Sequence, residues 1–207
     1  MSREEERRLR STQEPIMSGL PDVPGINVAM RLTPGLGLHL RGLADEVLVN
    51  DFPGASLSRA ERELIAEAVS AGNDCYFCMD SHGAHAQALL ERSGGVEMLP
   101  LVEDLKEGST AGFTPKMQAL IEVAQIVRRA PRELTEGHVE RARSAGATDA
   151  DVQLAVLIAS AFSMYNRMVE GFRARTPGAV DAYRDRAAQI AELGYSARPA
   201  PVAPGRA

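Results

Sequence analysis

Tryptophan is absent from this chain, aromatic residues are few (four Tyr, five Phe), and only two of its 207 residues are cysteine. The shortage of aromatics leaves little on which nucleobases could stack. The formal charge of −5 arises from intermingled acidic and basic residues, so no basic face is set aside for phosphates. Nucleic acid is therefore not an expected partner. No unbroken apolar run approaches 18 residues and the start, "MSREEERRLRSTQE", is charged throughout, which leads to the expectation of a cytoplasmic protein with no membrane partner. Two cysteines cannot staple a chain of this size. A bond between positions 75 and 78 would close too short a loop to restrict the unfolded state.

What the chain does have is helical grammar. Leu36, Leu40, Leu43 and Val47 recur at helical spacing, despite Gly35, Gly37 and Gly42 at the start of that segment. In "SLSRAERELIAEAVSAG", Ser58 is placed to cap a helix, Glu61 to complete a capping box and Leu57 to act as the preceding staple. That helix should end near Ala71–Gly72, and the next should carry the cysteines and run to Ser93, where "SGG" stops it. Further helices are expected from Thr114–Pro115 to Pro131, from Thr135, from Thr148 with Asp151 as its box partner, and from about Gly178 to Leu193. The run "VQLAVLIASAF" reads as a buried central helix. No alternating segment competes, so the expected fold is all-α, an antiparallel helical bundle. Residues 1–24 read as a loosely ordered N-terminal arm, 25–193 as one helical domain, and 194–207 as a disordered Pro/Ala-rich tail.

The chemistry concentrates in "AGNDCYFCMDSHGAHAQ". On one helix Cys75, Cys78, His82 and His85 share a face. Thiols three residues apart can form a disulfide without unwinding the helix, since their Cα atoms lie roughly 5 Å apart. In a reducing compartment such a pair is more often catalytic or metal-binding than structural. Zinc held by all four side chains is the rival reading, but ligands strung along one helix resist tetrahedral convergence. An inert pair filling core is the third. Cys75, at the helix start, has the better position for a stabilised thiolate, whereas Cys78 is closer to His82. The preceding helix can return a carboxylate to the thiols, and Glu61, Glu63 and Glu67 are all available for that role.

The stretch "LSRAERELIAEAVSAGNDCYFCMDSHGAHAQAL" resembles the signature of the AhpD-like alkylhydroperoxidases in the carboxymuconolactone decarboxylase superfamily: a glutamate, "VSA", then Cys-x-x-Cys-x-x-x-His. The later block from Leu134 to Phe172 is similar to the second helical block of the peroxidase-related branch, including Asn166 and Arg167. The likeness spans roughly residues 35–175. It implies Glu63 and His82 as a proton relay, Cys78 as the attacking thiol and Cys75 as the resolving one. Phe77 stands where some members have a further histidine, and His85 has no firm counterpart. The resemblance also implies a cycle that needs no cofactor beyond the dithiol, reset by an external thiol or dithiol reductant, in a homo-oligomer, a trimer or hexamer. The function it implies is reduction of hydrogen peroxide or organic hydroperoxides. A non-redox lactone decarboxylase-like enzyme, and a helical interaction module with a zinc-binding or inert cysteine pair, are the alternatives. His85 and Arg167 are expected to support the site from behind, Arg167 by pairing with a carboxylate near the pocket or a subunit boundary.

Overall fold

The computed structural model describes residues 3–196. Among these residues ten α-helices form and no strand: α1 (Arg3–Ser11), α2 (Asn27–Leu32), α3 (Pro34–Leu48), α4 (Arg59–Gly72), α5 (Tyr76–Ser93), α6 (Leu99–Lys106), α7 (Pro115–Arg129), α8 (Glu136–Ser144), α9 (Asp149–Gly171) and α10 (Arg184–Leu193).

Local chemistry sets the main boundaries. Ser58 accepts from the Glu61 amide while Glu61 accepts from the Ser58 amide, a reciprocal cap that starts α4. Thr148 and Asp151 do the same for α9, and Thr114 with Pro115 starts α7. Asp151 carries a second duty that its cap position does not reveal. Its carboxylate also accepts from the Ser56 and Leu57 amides and the Ser56 hydroxyl, tying the start of α9 to the approach to α4. Between α4 and α5 the chain reverses through Asn73 and Asp74, the latter in the left-handed region at φ 53°. The two helices therefore pack antiparallel. Gly83 lets them come close, because a Cβ there would fall 2.5 Å from Glu67 Oε1.

The core lies between α4, α5, α7 and α9, with Leu64, Ile65, Leu120, Leu154, Ile158 and Phe162 buried in it. Among the described residues α9 is the one helix long and apolar enough to cross a membrane, and 56% of that stretch is buried against the rest of the chain. It also keeps an open side, where Leu157 is 44% exposed. Asn166, on its inner side, donates to the Ser70 hydroxyl and accepts from Asn73, fastening α9 to the turn before the cysteines.

Three expectations change. Residues of the N-terminal arm are ordered: α1 lies over the start of α5, with Arg7 bidentate to the fully buried Asp80 at 2.7 and 2.9 Å. Arg10 pairs with Glu170, and both arginines sit over the Tyr76 ring. Charge spacing alone hides this, because the arm's partners lie some 70 or more residues away in sequence. The last helix begins at Arg184, after a tight turn over Val180–Tyr183, later than expected. At the C-terminal end, residues 197–207 of the expected tail lie outside the described residues. Tyr195 and Ser196 do not behave as tail: their amides donate to Asp45 at 2.6 and 2.9 Å, and Tyr195 is buried.

Candidate active site

Glu63 and Glu67 sit one turn apart on the side of α4 that faces α5, and both are completely buried. Glu61 is spent on the cap. Of the three glutamates, only Glu63 meets the histidines. His82 Nδ1 lies 2.7 Å from Glu63 Oε2, and Tyr195 Oη lies 2.7 and 3.0 Å from the two Glu63 oxygens. His85 Nδ1 is 3.7 Å from the carboxylate, too long for a direct bond, and reaches it through Tyr195 Oη at 2.9 Å.

Donors and acceptors in this cluster can be assigned by counting protons. Burial, with Glu63 beside it, pushes the Tyr195 phenol well above its ordinary range, so Tyr195 keeps its single proton and donates it to Glu63. His85 Nδ1 must then donate to the phenol oxygen. Burial lowers His85, so its ring is neutral, and its buried Nε2 carries a lone pair with no partner among the described residues. His82 donates through Nδ1 to Glu63, which leaves Nε2 as the ring atom free to exchange a proton with a substrate or thiol. Burial alone would raise the Glu63 carboxyl, but the hydrogen bond from His82 and the proximity of His85 outweigh it and hold the group at about 2. Glu63 is thus a fixed anion that sets the orientation of both rings. Phe162 braces the His82 ring edge-on, with centroids 4.4 Å apart.

A cavity of about 340 Å³ opens beside this cluster, at the small end of the range for small-molecule sites. Cys78, His82, His85 and Tyr195 line it, and Cys75 does not. Both cysteines are free thiols and almost fully buried. Cys75 occupies the N-cap position of α5, one step before the first turn expected for it, with no side-chain bond to the helix, and its thiol is pushed well up, first by the hydrogen bond it makes with Cys78 and then by burial. Helix-start stabilisation is overridden there.

Among the described residues, the side chains grouped closely enough to hold a cation are Glu63, His82 and His85, whose ligand atoms all lie within 4.8 Å of one another. The cysteines are not part of that group. Tyr195 Oη already sits within 3.3 Å of an atom of each of the three, so an ion would have to displace a hydroxyl that satisfies them.

Arg167 does not reach the cavity. It is exposed on α9 in a shallow apolar groove with Met164, Met168 and Phe172, and it donates to the Ser163 carbonyl at 2.8 Å rather than to a carboxylate. Its position explains this: Asn166 faces inward, and the next residue on a helix points roughly 100° away. Tyr195 is the participant that sequence reasoning missed. The available signal was a lone aromatic directly after Gly194 at a helix end, set before the Pro/Ala run.

Glu67 lies in the same layer but outside the cluster, and neither of its oxygens has a hydrogen-bond partner among the described residues. Burial pushes its carboxyl well above the usual range; Lys106 opposes this, while Glu103, Asp80 and Glu63 add to it. A folded pKa above the unfolded one means that the stability linked to this group is complete below about pH 4.5 and is lost as pH rises toward the folded value. Glu67→Met should therefore stabilise the protein by about 1–3 kcal/mol at pH 8 and by less at pH 5. Urea unfolding at the two pH values measures the difference.

Residues 40–125 match the model of the carboxymuconolactone decarboxylase family. No curated protein matches the chain. Among solved structures, an uncharacterized peroxidase-related protein from Ralstonia eutropha JMP134, described as an alkylhydroperoxidase AhpD core, superposes with a TM-score of 0.65 at 27% identity, covering 80% of this chain and 82% of that one. An uncharacterized peroxidase-related protein from Silicibacter sp. TM1040 superposes with a TM-score of 0.65 at 22% identity, covering 84% and 93%. The all-α bundle is accordingly of the AhpD-like type, and the cysteine pair sits at the start of one of its helices.

Proposed function

We propose that this chain is a member of the AhpD-like group and acts as a thiol-dependent peroxidase, cycling Cys75 and Cys78 between dithiol and disulfide. The observation that carries the reading is the placement of Cys78 on the wall of a cavity shared with His82, whose Nδ1 proton is anchored on buried Glu63. A hydroperoxide entering that cavity meets a thiol and a base together.

His82 Nε2 takes the proton of Cys78, and the thiolate attacks the distal oxygen of the hydroperoxide. The O–O bond breaks, its electron pair leaves with the alkoxide, and the proton held by His82 returns to that oxygen. The products are an alcohol (water, when the substrate is hydrogen peroxide) and a Cys78 sulfenic acid. Cys75 then attacks the oxidised sulfur; its own proton leaves with the hydroxyl as water, and the disulfide closes. An external dithiol resets the pair by exchange and is itself oxidised to a disulfide. Keeping the proton on Cys75 until this second step suits a resolving thiol.

The decarboxylase alternative needs neither thiol. Treatment of the protein with one equivalent of hydroperoxide decides between them: the peroxidase loses two titratable thiols, loses two mass units, and regains both thiols with a dithiol reductant. A mass unchanged after prolonged exposure would refute the peroxidase reading.

A further inference from the structure

The cavity that holds Cys78 is apolar over much of its surface, from Val23, Ile26, Met30, Phe77, Phe162 and Ile190. Its charged lining consists of three arginines, Arg31, Arg41 and Arg186, with no carboxylate among the lining residues. In a chain with 28 acidic and 23 basic residues that is an unexpected local balance. Elsewhere Arg7, Arg10, Arg129, Arg141, Arg143, Arg175 and Arg184 are paired with carboxylates. The cavity arginines form no ion pair among the described residues: Arg41 donates to the Gly37 carbonyl, and Arg186 to the Gln189 side chain and the Tyr195 carbonyl. Asp45, whose charge acts on Arg186, already has both oxygens engaged by the Tyr195 and Ser196 amides. Burial and the neighbouring Arg41 both lower Arg186, Asp45 only partly offsets them, and both guanidiniums line the cavity without a direct carboxylate partner among the described residues.

Exposure orders the cavity along its depth. Arg31 is exposed and Arg41 and Arg186 are half-exposed, whereas Cys78 and His82 are buried. A ligand that satisfies both ends is therefore amphiphilic: an oxyanion at the mouth, where guanidinium forks bind carboxylates well, and an apolar chain reaching toward the thiol. Resting on the peroxidase reading of Cys78, we infer that the preferred substrate is an alkyl hydroperoxide carrying a carboxylate, gripped at the mouth by Arg41 and Arg186 with its peroxide group presented at the floor. The reaction is the one already written, with a hydroxy acid leaving in place of a simple alcohol. Arg31 adds field at the entrance, drawing in anions in spite of the negative net charge of the whole protein.

The test separates binding from chemistry. Calorimetry on the reduced protein should show octanoate binding at least tenfold more tightly than octanol, with the preference shrinking as salt is raised. The double variant Arg41→Gln/Arg186→Gln should bring the ratio close to one, while Arg129→Gln, which removes an exposed pair outside the cavity, should keep it. A hydroperoxide of octanoic acid should oxidise the thiols at least tenfold faster than its methyl ester at subsaturating concentration. Equal affinities, or equal rates for acid and ester with thiols still lost, would overturn the substrate assignment and leave the peroxidase reading standing. An octanoate preference with no thiol loss to any hydroperoxide would support the anionic ligand and remove the peroxide chemistry.

Discussion

Cys78→Ser abolishes the first oxidation: the variant given a hydroperoxide gains no oxygen atom and keeps its remaining thiol, a loss of at least about 10³-fold in rate. Cys75→Ser behaves differently. It takes up one oxygen atom at Cys78, forms no disulfide, and goes on to the sulfinic acid when peroxide is in excess. The asymmetry follows from two observations on separate sides of the pair. Cys78 faces the cavity and Cys75 does not, and the Cys75 thiol is pushed well up by its bond to Cys78 and by burial. A helix start lowers a thiol only when the sulfur is free to ionise. Both sites are buried, so a serine hydroxyl costs about 1–3 kcal/mol at either and both variants should melt earlier by similar amounts. A stability effect alone cannot yield oxidation in one and silence in the other. Mass measurement after a short peroxide pulse reads the result, and an oxygen adduct on the Cys78 variant at the wild-type rate would transfer the attacking role to Cys75.

Much of this site was readable where the information is local. The caps at Ser58–Glu61 and Thr148–Asp151 write helix starts into three or four consecutive residues, and the structure puts α4 and α9 there. Cys78, His82 and His85 lie on one helix, so their common face follows from helix geometry alone, whereas Cys75 stands just before that helix at its N-cap and does not share the cavity wall. Choosing Glu63 over Glu67 is harder. Both are buried against α5, and what separates them is which meets a histidine and which meets the Gly83 gap and the Lys106 stem, a matter of register between two helices. Motif likeness supplied that choice; periodicity could not. Tyr195 and α1 were illegible for another reason. Their partners are distant in sequence, Tyr195 reaching Glu63 and Arg7 reaching Asp80, and their surroundings are polar or Pro/Ala-rich, so no amphipathic pattern marks them as packed. Arg167 is the reverse case, a charge near a long apolar run that in this chain reaches the surface by facing outward, away from the cavity.

The second large effect lies in the relay. Glu63→Gln keeps the shape of the side chain but replaces an acceptor-only carboxylate with an amide, which must turn its NH₂ toward one of two groups that also donate, His82 Nδ1 or Tyr195 Oη. Relieving that clash means moving the His82 proton to Nε2, the atom that has to accept from Cys78. Oxidation of the thiols should slow by about 10²-fold or more, with both sulfurs still present and countable. Tyr195→Phe removes a donor to Glu63 and the acceptor of His85 without adding a proton to the carboxylate side, so its rate loss should be smaller, about tenfold. Acid unfolding separates a true effect on Glu63 from a general loosening. The Glu63 carboxyl sits at about 2 in the fold, below its ordinary value of 4.5, so the stability linked to it is complete above about pH 4.5 and is lost as pH falls toward 2. That contribution is on the order of 3 kcal/mol. Glu63→Gln should erase the part of the acid transition that falls in this window, and Tyr195→Phe should move it to higher pH, because the carboxylate has lost one of the bonds that stabilise its charge. Urea midpoints measured from pH 2.5 to 5.5 test both. If Tyr195→Phe lowered stability equally at every pH in that range, its hydroxyl would be acting as packing and not on the Glu63 charge.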